Sequence, residues 1–594
     1  MIFAIAALGL STVFASPVAQ GPVTPGAQGS AAQPQGVEDA DAKYYFLLGR
    51  YLEGAGKVDE AVAAFRKAIE LEPGSAEPRA ELAGLFARQD KAREALDAAE
   101  DALRVSPKNQ EANRILGTVL AALADLHQAA RPGDDASQYA KRAMAALEIA
   151  RGDGSGDLNI DLTLARLYLD ADRYADAIPL MRRIVGEQPQ YTEGWLLLAD
   201  AQEGSGAPDA AVDTLTQLLG EQPQLFRARV QLAETYDHQH KWPEAADAWA
   251  AAQALNPRNV ELATRHATAL INAGHPAQAR DILGAALKQT PNDLRLTVML
   301  AQAQRDAGDL EAAEATARAL HDAHPEEVRF TYLVGQMLEA RDHYQEIITF
   351  LKPEIAKLRT SSDKNKGPQI AMLLGSEGLA YQQLHQYDEA IAAYTEAVTL
   401  APDDPVRQVL LIQGYTAAGR HKDAIDAAQK ARAKFPDDGS VLYQYGAALD
   451  HAGRHDESEK IFREIIAKDP LDAGALNYLG YMMAERGSAA GLDEAVTLIQ
   501  RALQVDPDNP SFLDSLGWAY VQQGKLDLAD PAISTAADKL PANSVIQEHL
   551  GDLRQKQNRR ADAIAAWQKA LAGDGDAIDR AKLQKKIDNA KKGK

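Results

Sequence analysis

The stretch SFLDSLGWAYVQQGKLDLADPAISTAADKLP, Ser511 to Pro541, is amphipathic along its whole length and carries none of the groups that catalysis usually needs. Its Leu516-Gly517 pair returns as Leu479-Gly480 and as Leu550-Gly551, so the segment is one copy of something repeated. The proline that closes it sets the period. Pro189, Pro223, Pro257, Pro291 and Pro325 stand 34 residues apart, as do Pro73 and Pro107, the run Pro402, Pro436 and Pro470, and the pair Pro507 and Pro541.

With the proline placed at position 32 of each unit, position 8 is small, as Gly49, Ala83, Ala199, Ala233, Ala267, Ala301, Gly446 and Gly517. Position 20 is also small, as Ala61, Ala95, Ala211, Ala245, Ala279, Ala390 and Ala529. These are the points where two helices must come close. Large apolar groups fill positions 7, 11 and 24, as Leu232, Tyr236 and Trp249 do in one unit and Leu48, Leu52 and Phe65 in another. Within each half the apolar spacing is helical. Gly206, Gly274, Gly308, Gly419, Gly453 and Gly524, at position 15, supply the left-handed residue that ends the first helix, and the proline stops the second. Each unit is therefore a helical hairpin whose apolar face only its neighbours can cover, which makes the chain an all-α solenoid.

The pattern resembles the tetratricopeptide repeat family from Ala42 to about Gly573, in fifteen units. That resemblance implies a right-handed superhelical α-solenoid. Two long steps, Pro107 to Pro189 and Pro325 to Pro402, exceed two periods by 14 and 9 residues, and Pro470 to Pro507 exceeds one by 3. The first insertion carries QAARPGDDASQ, where Pro132-Gly133 interrupts a lengthened helix; the second carries RTSSDKNKGP, a polar loop before Gln369; the third lies around RGSAAG. These breaks are expected to bend the array and divide it near residues 150 and 365, giving units 1–3 over 42–157, units 4–9 over 158–368 and units 10–15 over 369–573. The final segment, 574–594, has seven basic and three acidic residues from Asp576 on and reads as a helix that caps the last hairpin with a wet outer face.

Residues 1–15 begin with an apolar run from Ile2 to Leu10 and offer Val13 and Ala15 as small residues before a cleavage point. They read as a secretory signal or a short N-terminal anchor, without a preceding Lys or Arg. Residues 16–41, rich in Pro, Gly, Gln and Ala, read as a disordered tether. No later run approaches the roughly 20 apolar residues of a spanning helix, so membrane association is expected only through an uncleaved N-terminus. The chain has 85 acidic against 63 basic residues, a net −22 that repels phosphate backbones and argues against nucleic acid as a partner. It has no cysteine, which removes thiol nucleophiles, disulfides and cysteine-based metal sites.

No His-Glu-x-x-His metal motif, Walker loop or nucleophile elbow occurs. His238 and His240 are two residues apart and diverge on a helix. DGSGDLNID places Asp153, Ser155, Asp157, Asn159 and Asp161 at alternate positions, yet Leu158 and Leu164 stand where a calcium loop needs its turn glycine and its bidentate glutamate. That segment reads instead as a loop ending in a helix cap. Asp403-Asp404 and Asp437-Asp438 follow repeat prolines, where they suit the positive start of the next helix. No catalytic residue, metal, cofactor or small-molecule substrate is expected.

In the resembling family the first helix of each unit lines the concave groove through positions 5, 9, 12 and 13. Carried onto this chain, those positions give Asn477, Tyr481 and Glu485, then Asp514, Trp518 and Gln522, then Glu548, Asp552 and Gln555: aromatics in an acidic groove, fit for a protein or peptide hot spot or, alternatively, for packing. Chaperone-binding members grip a terminal carboxylate with Lys at position 5 and Asn at 9. Here the pairs are Leu196 and Asp200, Val230 and Glu234, or Asp514 and Trp518, so basic or hydrophobic segments suit better. The block from Ala475 to Leu571 also resembles bacterial envelope tetratricopeptide proteins, some of them lipoproteins that serve as adaptors between a processing protease and cell-wall enzymes. Lipoproteins carry a cysteine after the signal, which this chain lacks. The expectation is a non-enzymatic interaction scaffold, exported to the periplasm or cell envelope; the alternatives are a cytoplasmic scaffold and, remotely, an enzyme with dispersed catalytic residues.

Overall fold

The computed structural model describes residues 41–592 apart from 128–134, 136–137, 153–156, 488 and 574–577. The signal or anchor, nearly all of the tether, Pro132-Gly133, Asp153 and Ser155 lie outside the described residues. Everything described is helix and short turn, with 31 α-helices and no strand. Contacts divide the chain into two compact units, Met1–His240 and Lys241–Lys594.

In chain order the helices alternate as the repeat requires. A left-handed backbone residue falls at the turn of fifteen hairpins: the six expected glycines, Gly56 and Gly487 at the same place in their units, and the seven residues Asp90, His127, Asp172, His240, Asp342, His385 and Asn558. Asp and Asn, with His, are the non-glycine residues that best tolerate positive φ, so the slot was recognisable by position where its residue type was not glycine. The second helices stop one residue before the repeat proline: Leu71 with cap Glu72 before Pro73, Glu187 with cap Gln188 before Pro189, Lys434 with cap Phe435 before Pro436. The residue before proline is driven extended, which ends the helix there. Two residues after most of the prolines an Asp or Asn caps the next helix; after Pro73, Pro189, Pro223 and Pro325 no side chain does. Asp404 accepts from the Val406 N–H at 2.9 Å and Asp438 from the Val441 N–H at 2.9 Å, while the preceding Asp403 and Asp437 pair with Lys434 and Lys468.

Close approach at position 8 is real and specific. A Cβ added to Gly446 would stand 2.7 Å from Phe462, and one added to Gly49 would stand 2.7 Å from Phe65; in both hairpins the glycine meets the ring sixteen residues on. Phe65 and Phe462 are fully buried as a result.

Helices beside the insertions are longer than usual. Gln110–Asp125 has 16 residues; Tyr344–Thr360 and Lys366–Gln383 have 17 and 18, where 13 or 14 is usual; Ala489–Val505 has 17. At the second insertion the period would place a proline at 359, but Arg359 stands there and the helix continues to Thr360. The expected polar loop before Gln369 is thus cut to Ser361–Asn365, with Gln369 already helical. Apolar packing continues past residues 150 and 365. One apolar cluster runs from Ala83 to Ala201 and another from Ala301 to Leu411, because the lengthened helices still present their apolar faces to both neighbours.

In the first unit the suspected calcium string is accounted for otherwise. Asp157 caps Leu158–Asp170 and accepts from the Asn159 N–H at 2.9 Å. Asp161 is fully buried between Arg151 Nε at 2.7 Å and Arg183 at 2.8 Å. No described helix is long and apolar enough to cross a membrane.

Gly446→Ala is expected to lower stability by about 1 to 3 kcal/mol through overpacking against Phe462. Denaturant unfolding should show the loss, and the double variant Gly446→Ala, Phe462→Leu should recover most of it. A neutral single variant would contradict the close approach.

Candidate functional site

Three first helices of the second unit, Ala473–Arg486, Pro510–Gln522 and Ser544–Lys556, bring the expected groove residues together. Each begins with an Asp or Asn cap two residues after its proline, so the register of its exposed face is fixed before any tertiary contact forms. A 34- or 37-residue step then sets like positions side by side.

At the centre is a ring pair. The imidazole of His549 lies flat against Trp518, centroids 4.1 Å apart and 11° from parallel, and Tyr481 stands 6.2 Å from the same imidazole. His549 Nδ1 donates to Asp514 Oδ2 at 2.8 Å, and the Trp518 indole N–H donates to Glu485. Burial by itself pushes the His549 pKa down, but the Asp514 carboxylate, helped by Glu485 and Asp552, more than offsets this and holds it above its ordinary value. The ring lies flat on an indole with its Nδ1 on a carboxylate, a setting that favours the protonated form. Tyr481 is held far above the usual phenol range, by burial first and then by Glu485, Asp514 and Glu548, so it stays a hydroxyl donor.

The last expected trio is engaged within the chain. Helix Arg580–Lys591 packs Leu583, Ile587 and Ala590 on Ala563, Trp567 and Ala570, as the cap reading required. From it Lys586 Nζ reaches Glu548 at 2.7 Å and both oxygens of Asp552 at 2.7 and 2.8 Å, while Trp567 donates to Asp552 at 3.0 Å. Glu548 and Asp552 therefore already hold a cation. Gln522 is exposed; Asn477 is half-buried, and its Oδ1, like Gln555 Oε1 and Asp514 Oδ1, has no hydrogen-bond partner.

Sequence reasoning missed His549 and Lys586. His549 follows groove position 5 by one residue and lies 35 residues after Asp514, an offset that joins neighbouring helices in a 34-residue array. It also missed Tyr443 at position 5 of helix Gly439–His451, which meets Tyr478 and Phe462 edge-on at 5.5 and 5.3 Å, with Tyr478 stacked on Phe462 at 4.5 Å. Tyr478 donates to Asp450 at 3.2 Å, so the aromatic, acid-rimmed surface extends one hairpin further than expected.

The first unit has its own acidic concavity, lined by Asp125, Asp170, Asp200 and Glu203 with Arg166 and Tyr174. Burial, with Glu203 and Glu193 nearby, pushes Asp200 up to about 6. His238 faces Glu203 at 2.6 Å, and among the described residues no cluster of His, Asp or Glu could hold a metal ion.

Because the folded His549 binds its proton more tightly than a model imidazole at 6.5, its contribution to stability is fully present below about pH 6.5 and is lost as pH rises through the folded value. Urea midpoints taken from about pH 6 to about pH 9 should fall for the native chain and fall less for His549→Phe. Identical slopes would mean that the imidazole is neutral when folded.

Models of the tetratricopeptide repeat match residues 42–75, 168–235, 270–337, 371–404, 415–479 and 486–544. A TPR repeat-containing protein of Pseudomonas aeruginosa is 34% identical over 167 residues, 28% of this chain and 28% of the relative. The cytochrome c-type biogenesis protein CycH of Bradyrhizobium diazoefficiens is 30% identical over 95 residues, 16% of this chain and 26% of its own length. The chain thus spans little more than a quarter of these curated relatives. Among solved structures, Naa15/Naa10 bound to HypK-THB aligns over 92% of this chain and 99% of that one, at 14% identity and a TM-score of 0.39. The repeat models together cover more than half of the residues, and the chain belongs to the tetratricopeptide repeat family of protein-interaction scaffolds.

Proposed function

We propose that the chain is a non-enzymatic adaptor whose C-terminal groove, floored by Tyr481, Asp514, Trp518 and Glu485, takes a lysine- or arginine-bearing segment of a partner protein. One observation supports this reading: Lys586 sits on Glu548 and Asp552, a cationic side chain on the same row of first helices. The next carboxylates along the row, Glu485 and Asp514, hold only the indole N–H and the imidazole. Aromatic surface beside them adds buried area at low entropic cost.

This adaptor would act in the cell envelope, a reading supported by the signal-like N-terminal sequence and compatible with the cysteine-free composition. Its partners there would be an envelope protease or a cell-wall enzyme, with affinity summed over modest contacts and two clients held at high effective concentration. Binding alone is the mechanism.

An envelope pull-down read by mass spectrometry tests it, with Glu485→Lys as the variant, since Glu485 is exposed and its reversal leaves the core untouched. The native chain should retain a specific partner that the variant loses while its helical circular dichroism is unchanged. Retention of every partner by the variant would sink the groove, and recovery of the protein only from cytoplasm would sink the location.

A further inference from the structure

In a stacked array the third and tenth residues of each first helix face the hairpin before it. They are Leu262 and Ala269 in Val260–Asn272, Val441 and Ala448 in Gly439–His451, and Ile546 and Leu553 in Ser544–Lys556, all at most 4% exposed. Across the later hairpins every such residue is buried or half-buried. In the first helix, Ala42–Gly54, they are Tyr44 and Tyr51, 46% and 73% exposed, with Leu47 between them 58% exposed. No other hairpin has tyrosine at either position. At the opposite end of the chain the last hairpin is closed by Arg580–Lys591; at this end the stacking face is aromatic and, among the described residues, uncovered.

We propose that this face of Ala42–Gly54 is a docking site for an amphipathic helix of a partner protein, one that carries carboxylates beside its apolar stripe. The surface is distinct from the groove of the second unit and stands without it. Continuity gives the occupant its shape. The same face is covered by a helix in every later hairpin of its own unit, as Val58–Leu71 covers Glu77–Ala87 through its apolar stripe. Charge gives the occupant its sign. Lys43 and Arg50 lie on one flank of the Tyr44, Leu47, Tyr51 stripe, both exposed, and Arg50 is only loosely held by Glu81 at 3.2 Å with 59% of its side chain exposed. Tyrosine hydroxyls buried by a partner need acceptors, and carboxylates on that flank provide them. A second copy of this chain fits poorly, because an antiparallel two-fold pairing sets Lys43 and Arg50 against their own counterparts. An anionic lipid surface fits poorly against a chain of net charge −22.

The test places a photoreactive phenylalanine analogue at Leu47 of the full chain, irradiates the cells that make it, and sequences the cross-linked peptide by mass spectrometry. The expected adduct is a segment of a different protein with helical apolar periodicity and Asp or Glu flanking the stripe. Its yield should fall about tenfold or more in Lys43→Glu, Arg50→Glu and in Tyr51→Ser, and persist in Lys43→Arg, Arg50→Lys, with melting unchanged because all these side chains are exposed. An adduct to lipid, to a second copy, to residues 1–40 of the same chain or to a basic segment would overturn the proposal, as would no adduct at all.

Discussion

Many of the hairpins here depend on one act of packing: two helices approach closely enough, over a glycine or alanine, for a large side chain from the second to lie across the first. Gly446 beneath Phe462 and Gly49 beneath Phe65 show the constraint at its tightest. Once that contact forms, the hairpin has an apolar face it cannot bury itself, and the next hairpin must bury it. The array inherits its length and its need for ends from this. At the C-terminus Leu583, Ile587 and Ala590 supply the end, and at the first helix Tyr44, Leu47 and Tyr51 leave it open.

Packing settles the backbone, and charge then decides what the exposed row of first helices can hold. The chain's excess of acid is not spread evenly over a wet surface. In the second unit it gathers around Trp518 and Tyr481, where carboxylates find an imidazole, an indole N–H and a lysine within the molecule itself. Low local dielectric makes such pairs strong and makes a carboxylate left unpaired costly. The proposed groove would discriminate by sign, with Lys586 on Glu548 and Asp552 as a cationic side chain already held on this row.

The repeat was legible because its marks are local. Proline stops a helix by its own geometry, glycine turns left by its own freedom, and Asp or Asn caps by its own side chain, so the period and all fifteen hairpins could be read from residue type and spacing. The left-handed turns at Asp90, Asp172 and Asn558 were legible by position only, since residue type there is permissive and not diagnostic. The insertions were read as breaks because polar, glycine-bearing strings usually are. Yet a helix with no proline to stop it simply continues, and Arg359 stands where that proline would be.

What the sequence determined by itself is the hairpin and its count, because these follow from period, caps and breakers acting within a few residues. Only the tertiary structure decided how far the groove candidates are exposed, Asp514 being buried, and what they meet. It put His549 flat on Trp518 and against Asp514, sent Lys586 to Glu548 and Asp552, and carried the apolar core unbroken through both long insertions. The physical reason is range. A cap or a turn is satisfied by its own neighbours in the chain, whereas these ion pairs and this ring stack join residues on successive hairpins, and their partners are fixed only when those hairpins have packed.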